Sequence, residues 1–170
     1  MSVFFCSQVL VFIAICTDLL SFQFKSRKHI VSCLFVSCTL ISAHFFLLEK
    51  WTGSILIGIA AVRYLTSIFS TSKKWAFGFI ISGILAAICT YSGVASVLSC
   101  FASSLQTTAA FSSNDKNLRL LVMLGTIFWI IHNYIVGSPM AVMMEILFLS
   151  SNLVGYYRYY VKKPIIGVEI

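Results

Sequence analysis

Five ionisable side chains interrupt otherwise apolar stretches of this sequence: Asp18, His44, Arg63, His132 and Glu145. Inside a lipid bilayer such a side chain costs about 2.5–3.5 kcal/mol, so each needs a partner, a wet cavity or a function. Carboxylates and imidazoles can bind protons, cations and polar solutes. These residues are therefore the first candidates for a binding site within a membrane.

Asp18 and Arg63 have a simpler interpretation. At about 1.5 Å per helical residue, both fall in the same half of the membrane. Buried charges of opposite sign tend to pair. We predict a structural ion pair between Asp18 and Arg63 that holds the first span against the third.

Glu145 has no obvious basic partner, since it lies roughly 12 Å from Arg63 along the membrane normal by the same helical rise. His44 and His132 reach a similar depth, and the three side chains could line a polar cavity that opens outward. The alternative for each histidine is a packing role, with neutral imidazole hydrogen-bonded to a backbone carbonyl or a serine.

Helical spacing adds neighbours to these residues. Glu145 and Asn152 share one stripe of the last span, and Trp129 shares a stripe with His132 in the span before it. Asn133 follows His132 directly. The predicted substrate-binding residues are Trp129, His132, Asn133, Glu145, Asn152 and His44.

The composition shows what kind of molecule must position these residues. Apolar residues make up 59% and charged residues 10% of the 170-residue chain, with a mean hydropathy of +0.98. Lipid must be the main solvent for such a chain, which leaves no room for a separate soluble domain. The net charge of +7 sits in short clusters between apolar runs. That pattern indicates membrane topology signals and argues against a nucleic-acid-binding surface.

Familiar catalytic patterns do not occur in the sequence. It contains no HExxH, GxSxG or phosphate-binding glycine loop, so we expect neither an enzyme nor a cofactor. The six cysteines lie in apolar runs without CxxC or Cys/His spacing, which is typical of packing residues. Two histidines with one carboxylate leave an intramembrane metal enzyme as the third-ranked interpretation.

Apolar runs between charge and turn clusters predict seven membrane spans. Of the loop lysines and arginines, only Lys50 lies on one side of this arrangement and all the others lie on the opposite side. The positive-inside rule then places the amino terminus outside and the carboxyl terminus in the cytoplasm. Six spans with one long broken helix is the competing count. The predicted spans are 3–22, 30–48, 53–70, 75–91, 92–112, 118–136 and 139–160.

An offset of 88 residues aligns the first three spans with the last three without a gap. It pairs Asp18 with Gln106 and His44 with His132. We therefore predict an all-α membrane protein with seven transmembrane helices, arranged as two parallel triple-helix repeats around a linker helix in a 3+1+3 order. The single domain 1–170 would comprise repeat 1 (about 3–70), the linker (about 75–91), repeat 2 (about 92–160) and a short cytoplasmic tail (161–170).

The segments that carry these polar residues follow a recognisable pattern. They read Trp129-Ile-Ile-His132-Asn133-Tyr-Ile-Val-Gly137-Ser138, then Met144-Glu145 and Asn152-Leu-Val-Gly155-Tyr-Tyr-Arg158, with Ala43-His44-Phe45-Phe46-Leu47-Leu48 and Val62-Arg63 earlier in the chain. This pattern resembles the signature of the bacterial YgjV-type inner-membrane family. The resemblance implies a place in the bacterial inner membrane but names no reaction.

A looser resemblance is to the SWEET and PQ-loop superfamily, whose triple-helix repeats have the 3+1+3 order. Its Trp-x-x-Tyr-Gly motif falls on Trp129-Ile-Ile-His132-Asn133, and its substrate-binding asparagine falls on Glu145, which implies a central site there. The Pro-Gln motif and the helix-kinking prolines of its sugar-transporting members are missing. Ile57 stands at the matching position of repeat 1, so the site would be chemically asymmetric.

The leading functional prediction is a transporter of a small polar solute, with a central site between the two repeats. The alternative is a non-transporting membrane receptor or interaction protein of the same fold, which the missing prolines favour. The predicted partners are the lipid bilayer and a small polar solute, without nucleic acid, and a homo-oligomer stays open.

Overall fold

The computed structural model describes residues 3–49, 51–89, 91 and 93–162, apart from the side chains of 51–53 and 140. Lys50 and most of the predicted tail 161–170 lie outside the described residues. The described chain is all α-helical and has seven helices, as predicted. They are α1 (Val3–Ser21), α2 (Arg27–Leu47), α3 (Trp51–Phe69), α4 (Lys73–Cys89), α5 (Val94–Ala110), α6 (Asp115–Ile135) and α7 (Pro139–Tyr156), and a π-helical turn (Tyr157–Val161) continues α7.

Three of these helices, α1, α2 and α6, are long and apolar enough to cross a membrane. Shorter apolar helices cover Ser54–Phe69 and Val94–Ala110. Large apolar side chains point outward along the bundle, and Phe12 and Phe69 are 67% and 82% exposed. A surface of this kind suits lipid, where helices satisfy their own backbone hydrogen bonds.

The helices α2 and α6 each begin three residues before the predicted spans. Arg27 and Asp115 are their first residues, whereas the predictions began at 30 and 118. Hydropathy marks where apolar residues begin, but a helix begins where its backbone hydrogen bonds begin. At α6, the Asn114 side chain accepts a hydrogen bond of 2.8 Å from the Lys116 backbone N–H and so caps the helix.

Short connections gather the helix ends at two ends of the bundle. We call the end formed by residues 21–28, 69–74, 110–119 and 156–162 the basic end, because most of the lysines and arginines lie there. The opposite end, formed by residues 3–7, 44–49, 93–95 and 132–139, is called the histidine end.

The helices pack as two sets of three. α2 packs against both α1 and α3, and α6 packs against both α5 and α7, while α4 packs on α5. The two sets meet where α1 contacts α7 and where α3 contacts α5. The buried apolar core lies towards the basic end and consists of Phe22, Ile30, Val31, Leu34, Tyr64, Ala109, Ala110, Phe111, Leu118 and Val122.

Several structural features recur at a spacing of 88 residues. The first and last residues of α2 and α6 differ by this spacing, and so do the first residues of α3 and α7. Glu49 and Gly137, which follow α2 and α6, both have a positive φ, of 57° and 71°. Buried residues at this spacing are Ala14 and Ala102, Ser21 and Ala109, Ile30 and Leu118, Val31 and Arg119, and Leu34 and Val122.

Gly155 lies where α7 approaches the end of α1 most closely. A Cβ atom at this position would lie 2.1 Å from the Phe22 carbonyl oxygen and 2.5 Å from Arg119 Nη1. The backbone cannot yield easily, because the carbonyl oxygen belongs to the buried end of α1. Gly78 in α4, by contrast, has no atom within 4 Å of such a Cβ.

We predict that Gly155→Ala destabilises the protein by about 2 kcal/mol or more, because the added methyl group overpacks a buried contact. Gly78→Ala should be neutral or slightly stabilising, since alanine favours the helix. Thermal unfolding of the detergent-purified proteins, followed by tryptophan fluorescence, checks both expectations. Equal melting temperatures for the two variants would contradict this account of Gly155.

Candidate functional site

Two acidic residues, Asp18 and Glu145, lie beside the contact between α1 and α7. Phe22 and Phe148 meet edge to face with ring centroids 5.0 Å apart. Asp18 lies four residues before Phe22, and Glu145 lies three residues before Phe148. Each acid is therefore one helical turn from the ring contact on the same helix face, on the side of the histidine end. Both are partly buried and close enough to interact electrostatically.

Further polar side chains are buried in the interior of the bundle. Ser37 of α2 is fully buried and lies beside Asp18. Thr126 Oγ1 and Asn152 Oδ1 are buried without a hydrogen-bond partner in the described structure. Unpaired buried polar atoms are costly in a protein interior. The interior of the bundle therefore retains hydrogen-bonding capacity that the protein itself does not use.

Arg63 does not form the predicted ion pair with Asp18. Its Nη1 donates a hydrogen bond of 2.9 Å to Thr107 Oγ1, and its guanidinium lies 4.9 Å from the Tyr64 ring centroid. Within the described residues, the ion pair at 4.0 Å or less joins Arg119 to Asp115. The prediction used only the depth of the two residues in the membrane, which does not show on which face of its helix each side chain lies. Asp18 lies near α7 and Ser37, whereas Arg63 connects α3 to α5.

The two histidines make matching bonds at the histidine end. His44 Nδ1 lies 3.0 Å from the Ser7 carbonyl oxygen, and His132 Nδ1 lies 2.9 Å from the Ala95 carbonyl oxygen. Because a carbonyl oxygen only accepts, the hydrogen must sit on Nδ1 in both rings. His44 thus joins α2 to α1, and His132 joins α6 to α5. This is the packing role that the sequence left open as an alternative to solute binding.

The other predicted binding residues are divided between two levels. Trp129 lies edge-on to His132, with ring centroids 5.2 Å apart, and both are partly exposed near the histidine end, as is Asn133. Asn152 is fully buried nearer the basic end, where its Nδ2 donates a hydrogen bond of 2.9 Å to the Arg119 carbonyl oxygen. Of these residues, Asn152 lies seven residues after Glu145 and shares its stripe of α7.

Arg119, the second residue of the predicted span 118–136, is fully buried. Its Nη1 donates to the Phe22 carbonyl oxygen at 2.8 Å, and its Nη2 donates to the Phe24 carbonyl oxygen. The last carbonyls of a helix have no partner within the helix. Arg119 supplies charged donors to the end of α1 and so binds α6 to α1.

Arg27 does the same for two other helices. Its Nη2 donates to the Ser67 carbonyl oxygen at 2.5 Å and to the Ala110 carbonyl oxygen at 2.6 Å, and its Nε donates to the Ser112 carbonyl oxygen. Arg27 therefore connects α2 with the ends of α3 and α5. We call Arg27, Arg119 and the carbonyls they bind the arginine junction.

Further bonds join the two sets of helices beside the arginine junction. Gln23 Nε2 donates to Ser151 Oγ at 3.0 Å, Ser151 Oγ donates to the Leu19 carbonyl oxygen at 2.5 Å, and the Tyr159 hydroxyl donates to the Gln23 carbonyl oxygen at 2.5 Å. The Tyr160 hydroxyl donates to Asp115. Burial, and then Asp115 itself, raise the pKa of Tyr160 to about 12, so this donor keeps its proton at physiological pH.

Sequence spacing indicates one partner of Arg119. Asp115 and Arg119 are four residues apart, the spacing at which opposite charges meet on one helix face. No comparable signal marks Arg27, whose partners lie 40 residues or more away in the chain.

The chemistry available to the described residues is that of hydrogen bonds and carboxylates. The six cysteines are free thiols. Within the part of the chain that the structure describes, no three histidine, cysteine, aspartate or glutamate side chains are grouped so as to hold a metal ion.

Comparison with known proteins gives one match, over nearly the whole chain. The model of a family described as bacterial inner membrane protein, Imp-YgjV, matches residues 5–163. No curated protein and no solved structure matches the chain. The looser resemblance to the SWEET and PQ-loop superfamily stays a prediction.

We predict that Arg119→Lys lowers the free energy of unfolding by about 1–3 kcal/mol. A lysine ammonium group lacks the planar guanidinium geometry that donates to two carbonyl oxygens at once, so a buried carbonyl would lose its partner. Arg158→Lys is the matched control, since Arg158 is exposed at the same end of the bundle. Melting temperatures in detergent should fall for the first variant only. If both variants melt like the unmodified protein, the arginine junction is not a main source of stability.

Proposed function

The chain belongs to the Imp-YgjV family of bacterial inner membrane proteins, and from that premise we propose that it transports a small polar solute. The site of transport lies between the helix set α1–α3 and the helix set α5–α7, around Asp18 and Glu145. Seven helices cross the membrane, with the basic end in the cytoplasm.

The observation that carries this proposal is the difference between the two ends of the bundle. At the basic end, Arg27, Arg119 and Gln23 all bond from one set of helices to the other. At the histidine end, His44 and His132 each bond within their own set. Two sets joined at one end and bonded internally at the other suit alternating access, in which the halves rock around a fixed site.

We further propose that the two sets are parallel triple-helix repeats and that α4 is the linker, in the 3+1+3 order. The recurrence of helix ends at 88 residues supports this arrangement. The two histidine bonds support it independently, because both donors and both acceptors obey the same spacing. A single linker helix lets both repeats insert in the same direction, as transporters with parallel repeats require.

The solute in this proposal lies on the histidine-end side of the Phe22–Phe148 contact. There, Asp18 and Glu145 offer carboxylates to the hydrogen-bond donors or the positive charge of a polar solute. Trp129 and His132 line the approach from the histidine end. The same ring contact separates the solute from the arginine junction, which closes the path to the cytoplasm.

Opening towards the cytoplasm requires the arginine junction to separate. Arg27 bonds across the two sets to neutral carbonyls, and Arg119 keeps its ion pair with Asp115 inside α6. Separation therefore exchanges carbonyl partners for water near the membrane surface and breaks no ion pair between the sets. The energetic cost is that of hydrogen-bond exchange, about 0.5–1.5 kcal/mol for a typical bond and more where a charged donor is involved.

A second candidate is a non-transporting receptor or interaction protein of the same fold. Along α4 no described side chain is buried, so this helix offers its surface to lipid or to another membrane protein. In the described chain proline occurs at Pro139, the start of α7, and not within a helix where it would make a hinge. A specific membrane protein that co-purifies with the chain, and is lost on changing α4 but not Glu145, would favour this candidate.

The proposed orientation predicts where reporters are active. Green fluorescent protein fused after Lys162 should fluoresce, because the basic end faces the cytoplasm, whereas alkaline phosphatase fused there should be inactive. The two reporters inserted after Glu49 should give the opposite results. Alkaline phosphatase activity after Lys162 would contradict the orientation.

We predict that Asp18→Asn and Glu145→Gln each reduce uptake by proteoliposomes tenfold or more, since a hydrogen bond to a charged group contributes about 1.5–3 kcal/mol. Glu49→Gln, an exposed acid at the histidine end, is the control and should retain activity. The assay begins with a panel of labelled polar metabolites to find the solute. If the unmodified protein takes up none of them faster than empty liposomes do, and none shifts its melting temperature, the transport proposal fails.

A further inference from the structure

A groove of about 450 Å³ opens on the side of the bundle at the basic end. It lies between the first turn of α4, the end of α5 and the start of α6, away from Asp18 and Glu145. Its walls are apolar and its rim is polar. The wall residues are Ala76, Phe111, Leu120 and Leu121, and the rim residues are Lys73, Thr108, Ser112 and Asn117.

The rim of the groove carries a positive charge without a protein counter-charge. Lys73 is exposed and makes no ion pair among the described residues. It stands in the first turn of α4, where the helix dipole adds positive potential. Asp115 is the acidic residue nearest in sequence to Asn117 and Ser112. Its carboxylate pairs with Arg119 and accepts a hydrogen bond from Tyr160. The rim therefore favours an anion.

In the proposed membrane orientation, the groove lies at the level where lipid headgroups meet acyl chains. Its rim residues stand at the ends of α4, α5 and α6, and its walls continue towards the middle of the bundle. The polar, basic rim of the groove matches a phosphate ester, and its apolar walls match an acyl chain. Basic residues at a membrane surface attract anionic lipids by about 1 kcal/mol each.

We propose that an anionic glycerophospholipid binds in this groove. Its phosphate lies at Lys73 and Asn117, and one acyl chain lies against Phe111, Leu120 and Leu121. The bound lipid extends the contacts of α4, which otherwise packs mainly on α5, to α6. This site is independent of the proposed transport of a solute.

Native mass spectrometry of the purified chain tests the site with phosphatidylglycerol as the probe and phosphatidylethanolamine as its zwitterionic counterpart. We expect one phosphatidylglycerol to bind more tightly than phosphatidylethanolamine. Lys73→Gln should weaken phosphatidylglycerol about fivefold, the factor that corresponds to loss of one surface lysine. Lys28→Gln removes the same charge from an exposed lysine at the same end and should leave the affinity unchanged.

Two further measurements distinguish binding of the whole lipid from binding of its headgroup alone. Leu120→Trp keeps the charge but fills the groove from an exposed wall position, so it should also weaken the binding of phosphatidylglycerol. Glycerol phosphate, which lacks acyl chains, should not displace the lipid at equal concentration. Equal loss from Lys28→Gln and Lys73→Gln, equal binding of the two lipids, or displacement by glycerol phosphate would each overturn the proposal.

Discussion

Two guanidinium groups, of the fully buried Arg119 and the half-buried Arg27, hold the basic end of this bundle together. Helices that end inside an apolar environment leave carbonyl oxygens without partners, and lipid cannot supply donors to them. Arg27 of α2 and Arg119 of α6 supply these donors to the ends of α1, α3 and α5 and so connect five helices. Gly155 allows α7 to pack against this junction. The Phe22 carbonyl and the Arg119 guanidinium lie in the space that a side chain at position 155 would fill.

The position of the interior acids follows from this junction. Once α7 lies against the end of α1, Phe22 meets Phe148, and Asp18 and Glu145 each lie one helical turn from this contact. Two carboxylates in a membrane interior are unfavourable unless something compensates for them. The nearest guanidinium groups are engaged elsewhere, with Thr107 and with backbone carbonyls. In the proposed transport function, a bound polar solute supplies this compensation.

Sequence reasoning succeeded for features that depend on local composition and failed for those that depend on direction around a helix. It predicted seven helices from the apolar runs, and the structure has them. It also paired His44 with His132, and their bonds to Ser7 and Ala95 obey the same spacing. The Asp18–Arg63 ion pair was inferred from depth alone, and it does not form because Arg63 is directed to Thr107. Arg119 lies at the start of the predicted span 118–136, but hydropathy could not show that it is fully buried and bonds to the end of another helix.

The sequence by itself determined the helical class, the number of helices and the gathering of basic residues at one end. These properties follow from hydropathy and charge along the chain, which each short segment carries on its own. Only the tertiary structure decided that Arg27 and Arg119 cap the ends of other helices, that Gly155 admits the end of α1, and that Asp18 and Glu145 lie near the same helix contact. The physical reason is that these contacts join segments far apart in the chain. Their geometry is set by the rotation and close approach of packed helices, which no single helix specifies.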